Sequence, residues 1–196
     1  SEFDGILDKM RVYEIAGQDN ASAWIARNFP GIKFIRAQKS WRGMSVLESG
    51  PEQFPESHGG NNEVVSPEWV NTHIQKNHGS TGANYPDTKH FYETDSPSFL
   101  YLLSATKGLN DPDKQWHGSW GGTFGKAKTK NPYTVTWARE ENYGDFQMYI
   151  ENSETWSFQG TDYSNIYAPI FRWREDFQND FRARMDWAVN SYKNAN

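Results

Sequence analysis

The chain reads as an α/β protein with an open, mainly parallel sheet and flanking helices. Three adjacent segments predict this. RVYEI (Arg11–Ile15) is short and rich in Val, Tyr and Ile, as a buried strand is. ASAWIARNF follows with helical character and stops before Pro30. IKFIRA (Ile32–Ala37) is a second short apolar strand. Strand, polar loop, helix, strand is a βαβ unit, whose strands run parallel.

The polar cluster Gly17-Gln18-Asp19-Asn20 links the first strand to its helix. From Trp41 to Val65 the chain is loop-like, with Gly, Pro, Ser and Asn throughout. SPEWVNTHIQKNHG reads as one helix: Ser66 caps it, Pro67 opens it and Gly79 ends it. Its Trp69, Val70, His73 and Ile74 fall at helical spacing, which makes His73 a histidine on or beside the core stripe rather than a ligand. HFYET is a candidate third strand. In ETDSPSFLYLL, Ser96 reads as the cap and Pro97 as the first residue of a helix that runs to Lys107 and ends at Gly108. That leaves Asp95 without a capping role.

LNDPDKQWHGSWGGTFGKAKTKN is rich in turn formers, and Asp111 and Asp113 around Pro112 read as a solvated turn rather than a calcium loop. YTVTWARE and DFQMYIE alternate as strands do, and either pair or flank an edge. The last element is a long helix, about Pro169 to Tyr192. Ile170, Trp173, Phe177, Phe181, Met185, Ala188 and Tyr192 form its apolar stripe. Arg172, Arg174, Asp176, Asp180, Arg182 and Asp186 lie largely off that stripe and read mostly as surface or interface charges.

The chain has 196 residues, with 9 Trp, 10 Tyr and 12 Phe, so the core leans on aromatics and some rings remain for the surface. A net charge of −5 without a basic run argues against a nucleic-acid partner. No segment is long and apolar enough to span a membrane. Cysteine is absent, which excludes disulfides, thiolate zinc sites and a Cys nucleophile.

Ligands of open α/β sheets bind beyond the carboxyl ends of the strands. Two polar clusters suit that place, Gln18-Asp19-Asn20 and Glu93-Thr94-Asp95. Oxygen donors without thiolates suit calcium, and equally sugar hydroxyls. Taken singly, each cluster is also no more than an acidic helix N-terminus. The chain has no phosphate loop, no G-x-S-x-G elbow and no H-E-x-x-H pair. Two carboxylates flanking a glycosidic bond stay open as a reading, because the sequence does not reveal their separation.

In this order, RVYEIAGQDNASAWIARNFP, ETDSPSFLYLL, GSWGGTF and RWREDFQNDFRARMDW resemble the nucleoside-hydrolase-like domain of a family described as cellulose-binding. The resemblance runs over nearly the whole chain. It implies a nucleoside-hydrolase-like sheet with an active-site calcium, Asp95 as a metal ligand, and Asp19 and Asn20 at the sugar-binding loop. Nucleoside hydrolases open with an Asp cluster that this chain lacks. The chain therefore looks like a single domain, residues 1–196, incomplete at its N-terminus.

Two functions follow. One is a calcium-assisted hydrolase of N- or O-glycosidic bonds, for which no catalytic residue is assigned. Its calcium would be held only with ligands from the missing N-terminal portion. The other is a non-catalytic carbohydrate-binding domain that stacks glucan on loop tryptophans Trp41, Trp116 and Trp120. Either takes a carbohydrate or nucleoside-like ligand and points to an extracellular or periplasmic setting.

Overall fold

The structure is a computed structural model that describes residues 4–15, 21–44, 46, 59–88, 93, 95–127 and 148–193. In chain order its elements are α1 (Asp4–Leu7), β1 (Arg11–Ile15), α2 (Ala21–Asn28) and β2 (Lys33–Ala37), then α3 (Pro67–Val70), α4 (Gly79–Ala83) and α5 (Ser96–Thr106). The strands β3 (Phe124–Lys126), β4 (Met148–Glu151), β5 (Glu154–Phe158) and β6 (Thr161–Asn165) follow, then α6 (Ala168–Phe171) and α7 (Arg174–Lys193).

The opening βαβ unit forms as its sequence dictates. β1 and β2 pair in parallel from Arg11↔Lys33 to Ile15↔Ala37. β4 adds to the other side of β2, also in parallel, and β3 closes that edge antiparallel, giving the order β1-β2-β4-β3. Of DFQMYIE, Met148–Glu151 thus supply an inner strand, and the three residues before them lie outside the described residues. HFYET beyond Glu93 and YTVTWARE lie outside the described residues.

Strand side chains alternate between two faces. On one, Phe34 and Met148 meet Ala26 of α2, with Val12, Ile25 and Ile150 around them. On the other, Ile35, Ala37 and Phe124 meet Tyr101 of α5, with Tyr13 and Tyr149 alongside. The α2 face also buries a charged pair: Glu14 and Arg36 face each other in register, and Arg36 Nε lies 3.3 Å from Glu14 Oε2.

Ser66 caps α3 by accepting the Trp69 N–H at 3.1 Å, and Pro67 opens it. The helix does not reach Gly79. It widens into a π-turn over Asn71–Gln75, and Asn77 takes a positive φ of 63° that ends it. His73 stays half-buried, its ring 4.8 Å from that of Trp69.

The expected final helix is two helices. Asn165 Oδ1 accepts the N–H groups of Tyr167 and Ala168, which starts α6, and a turn at Arg172–Trp173 separates it from α7. Ile170, Phe177 and Met185 are buried, Trp173 and Phe181 are partly so, and Ala188 is exposed. Ahead of α6 lies a hairpin that the sequence reading misses. β5 and β6 pair antiparallel around Gln159-Gly160, both at positive φ, as a tight hairpin turn requires. Its alternating Trp156, Phe158 and Tyr163 were the available signal, and Trp156 and Tyr163 pack on Phe171.

The sharpest departure is Arg174, which is fully buried rather than a surface charge. It donates through Nε to the Gly43 carbonyl at 2.9 Å, and through Nη1 to the Gly59 carbonyl at 2.7 Å and Asn62 Oδ1 at 2.5 Å. Burial pushes its guanidinium down to about 9, so it still carries its charge at neutral pH. The planar fork reaches acceptors on separate segments, which an ammonium would not match.

Candidate functional site

In ETDSPSF the N-cap position of α5 falls on Asp95, whose side chain makes no capping hydrogen bond, and the capping oxygen comes from Glu93. Its Oε1 accepts the N–H groups of Asp95 and Ser96, both at 2.9 Å, and so takes two of the donors that a helix start leaves over. Ser96 is the first residue of α5, not its cap, with Pro97 in the first turn. Asp95 precedes it, exposed. Its carbonyl accepts the Ser98 hydroxyl at 2.8 Å, and its charge sits at the positive end of the helix dipole. Asp19 and Asn20 lie outside the described residues. Among the described residues no three His, Asp or Glu side chains stand together as a metal group.

At the carboxyl end of β4, buried Glu151 also holds backbone. Its Oε1 accepts the N–H groups of Lys39 at 2.5 Å and Ser40 at 3.0 Å, fastening the 3-10 turn Ser40–Met44 that follows β2. This turn carries Trp41. The indole donates to the Gln38 carbonyl at 3.0 Å, and the Arg42 guanidinium lies 4.2 Å from the ring centroid. Trp41 is half-buried and has a cation against its ring. Glu154 is likewise engaged, accepting the Thr123 hydroxyl and Arg172 Nη1, each at 2.6 Å.

The turn-rich loop from Leu109 to Thr123 is pinned along its length. Asp113 takes both Arg11, which opens β1, and Lys33, which opens β2. Asp111 Oδ1 accepts the Asp113 N–H at 2.9 Å, and its carboxylate pairs with Lys114 at 3.1 Å. The two carboxylates thus serve the turn, as the sequence suggests. The Gln115 carbonyl accepts the Phe124 N–H at 2.9 Å, and the Trp120 N–H donates to Ser104 Oγ at 2.8 Å. Gly121 leaves no room for a side chain: a Cβ there would stand 2.3 Å from the Pro97 carbonyl oxygen. The Tyr13 hydroxyl donates to the Gly121 carbonyl at 2.8 Å. Burial first, then the Glu151 charge, hold Tyr13 well above the usual tyrosine value, so it stays a donor.

From this fixed loop Trp116 projects, 54% exposed. Trp120 does not. It is 5% exposed, packed in one cluster with Met44, Leu100, Leu103, Ile170 and Phe177, and the expectation that it stacks on glucan is corrected by that burial. The three tryptophans therefore do not share one open face. Trp116 alone among them presents a large exposed ring. Trp24 and Trp187, which the sequence reading passes over, are also exposed, on α2 and α7.

Residues 1–124 match the model of the family described as cellulose-binding Sde182, nucleoside hydrolase-like domain. The match takes in RVYEI, ETDSPSF and GSWGGTF, and ends before the Arg172–Trp187 stretch. No curated protein and no solved structure matches the chain. The mainly parallel α/β sheet is compatible with a nucleoside-hydrolase-like fold. With more than half of its length matched, this chain belongs to the family of cellulose-binding, nucleoside hydrolase-like domains.

Proposed function

We propose that this domain binds carbohydrate of the cellulose type and does so without hydrolysing it. The observation that carries the reading is Trp116. Its ring is more than half exposed on a loop held by Asp113, Gln115, Ser104 and the tight seat of Gly121. An aromatic ring fixed before the ligand arrives loses little entropy on stacking, and a pyranose offers it a face of C–H groups. The family's description as cellulose-binding supports the same ligand class. An extracellular or periplasmic setting, where such polymers lie, belongs to this reading.

The second reading, a calcium-assisted glycosidic hydrolase, has less to support it. Glu93, Glu151, Glu154 and Asp180 each hold a backbone N–H, a hydroxyl or a cation. A general acid or base must turn its carboxyl to the substrate, and these four are already engaged in holding the fold.

The test is depletion of the protein from solution by microcrystalline cellulose, for the parent chain and Trp116→Ala. The parent is expected to adsorb saturably and the variant to remain in solution. Equal adsorption of the two would overturn the assignment to Trp116. Release of soluble sugar by the parent would overturn the non-catalytic reading.

A further inference from the structure

The Trp116 ring has a second ring at its side. The His117 imidazole lies with its centroid 6.3 Å from that of the indole and its plane at 88° to it. Trp116 is 54% exposed, so the imidazole borders the indole and does not cover it. The His117 N–H donates to the Lys114 carbonyl at 2.9 Å, a turn that sets where the side chain leaves the backbone. Asp111 on one side of that turn and the Gln115 carbonyl within it hold the turn in place.

The imidazole is half-buried. Among the described residues neither of its ring nitrogens makes a hydrogen bond, and neither is sealed from solvent. His78 shows the contrast: its two nitrogens are spent on the Ile74 carbonyl at 3.0 Å and Asp186 Oδ1 at 3.1 Å, within the fold.

A sugar stacked on the indole gives its C–H face to the ring. Its hydroxyls spread around the rim and give up water there, and one left without a partner weakens binding. In the all-equatorial ring of a β-glucan these hydroxyls lie close to the plane of the sugar. A ring standing upright at the border of the platform meets them edge on. A hydroxyl both donates and accepts, as a neutral imidazole does, and an imidazolium donates from both nitrogens, so the pairing persists whether or not the ring is protonated.

We propose that His117 is the hydrogen-bonding residue of the Trp116 site, paired through a ring nitrogen with a hydroxyl of the pyranose stacked on the indole. The inference rests on the reading of Trp116 as a glycan platform and adds selectivity to it. An indole alone takes any flat apolar face, whereas the pair of rings takes a sugar.

The test is calorimetric titration of cellohexaose into the full chain and into Trp116→Ala, His117→Leu and His117→Gln. Leu keeps comparable bulk beside the indole without a nitrogen, and His117→Leu should weaken binding about fivefold, the worth of one neutral hydrogen bond. Gln restores a donor and an acceptor, and His117→Gln is expected to bind as the parent does. If Trp116→Ala loses affinity while His117→Leu binds like the parent, the proposal is overturned and the platform stands. Equal losses in His117→Leu and His117→Gln also overturn it, because the ring then matters for its shape and not for its nitrogens. A parent that takes no cellohexaose, or a Trp116→Ala variant that binds it unchanged, overturns the platform and this proposal with it.

Discussion

The Arg174 guanidinium donates to the Gly59 carbonyl at 2.7 Å, across 115 residues of chain. The same group reaches Gly43, so one buried side chain ties the turn after β2 and the segment before α3 to the start of α7. Removing it leaves buried carbonyls without donors, at about 1–3 kcal/mol each. Arg174→Met is expected to cost about 3–5 kcal/mol. Arg174→Lys should cost nearly as much, because an ammonium does not reproduce the fork. Urea unfolding measures both, and a loss within about 0.5 kcal/mol of zero would mean that the guanidinium is not the tie described.

Gly121 sits where a Cβ would meet the Pro97 oxygen at 2.3 Å and the Tyr101 backbone nitrogen at 2.7 Å. Backbone cannot swing aside as a side chain end can. Gly121→Ala is therefore expected to destabilise by about 1–3 kcal/mol and to loosen the Trp116 loop. A thermal melt checks the first effect, and hydrogen exchange at Gln115 to Phe124 the second. An unchanged melt would show that the loop does not press on α5.

Capping separates three neighbours in ETDSPSF. Glu93 accepts two N–H groups, so Glu93→Ala should cost about 1 kcal/mol, within the range of lost caps. Asp95→Ala and Ser96→Ala should each cost less, as neither side chain caps α5. If Ser96→Ala proves the most damaging of the three in thermal melts, the serine is the cap after all.

Acid should loosen the Trp116 loop. Hydrogen bonds from Lys33 and then Arg11 hold the Asp113 carboxyl below its ordinary 3.8, and the Asp113 N–H followed by Lys114 does the same for Asp111. Both are depressed in the folded state, so their contribution is present above pH 3.8 and is lost as pH falls through the lower folded values. Glycan affinity is expected to hold from neutral pH down to that point and to drop below it. Asp113→Asn should show the weaker affinity already at neutral pH, with a smaller acid step. Both groups are exposed, so high salt should mimic part of the effect. A parent profile that stays flat from neutral pH to well below 3.8, where both carboxyls have taken up protons, would break the link between these carboxylates and the ring.

Local pattern made β1, α2, β2 and the Ser66 cap legible in the sequence, because each rests on residues within a few positions. The Phe177 stripe was legible for the same reason. Arg174 was not: its burial depends on oxygens 112 to 131 residues away, and its own neighbours look like a helix surface. Trp120 was misread as exposed because α5 and the α6–α7 segment, not its loop, decide its burial. Glu93 and Ser96 both carry an oxygen that could cap a helix, and only the three-dimensional path of the chain chose between them. The Trp116 platform was half legible, since turn residues announced a loop but not how firmly it is pinned.

On the proposed function, Trp116 grips glucan from a fixed loop. Calorimetric titration of cellohexaose into the parent chain and Trp116→Ala, with thermal melts of both, tests it most directly. The parent should saturate at one site, and the variant should bind about 30-fold more weakly, the roughly 2 kcal/mol of a central aromatic contact, while melting like the parent because the ring is exposed. A parent that takes no cellohexaose, or a variant that binds it as tightly as the parent, would contradict the account.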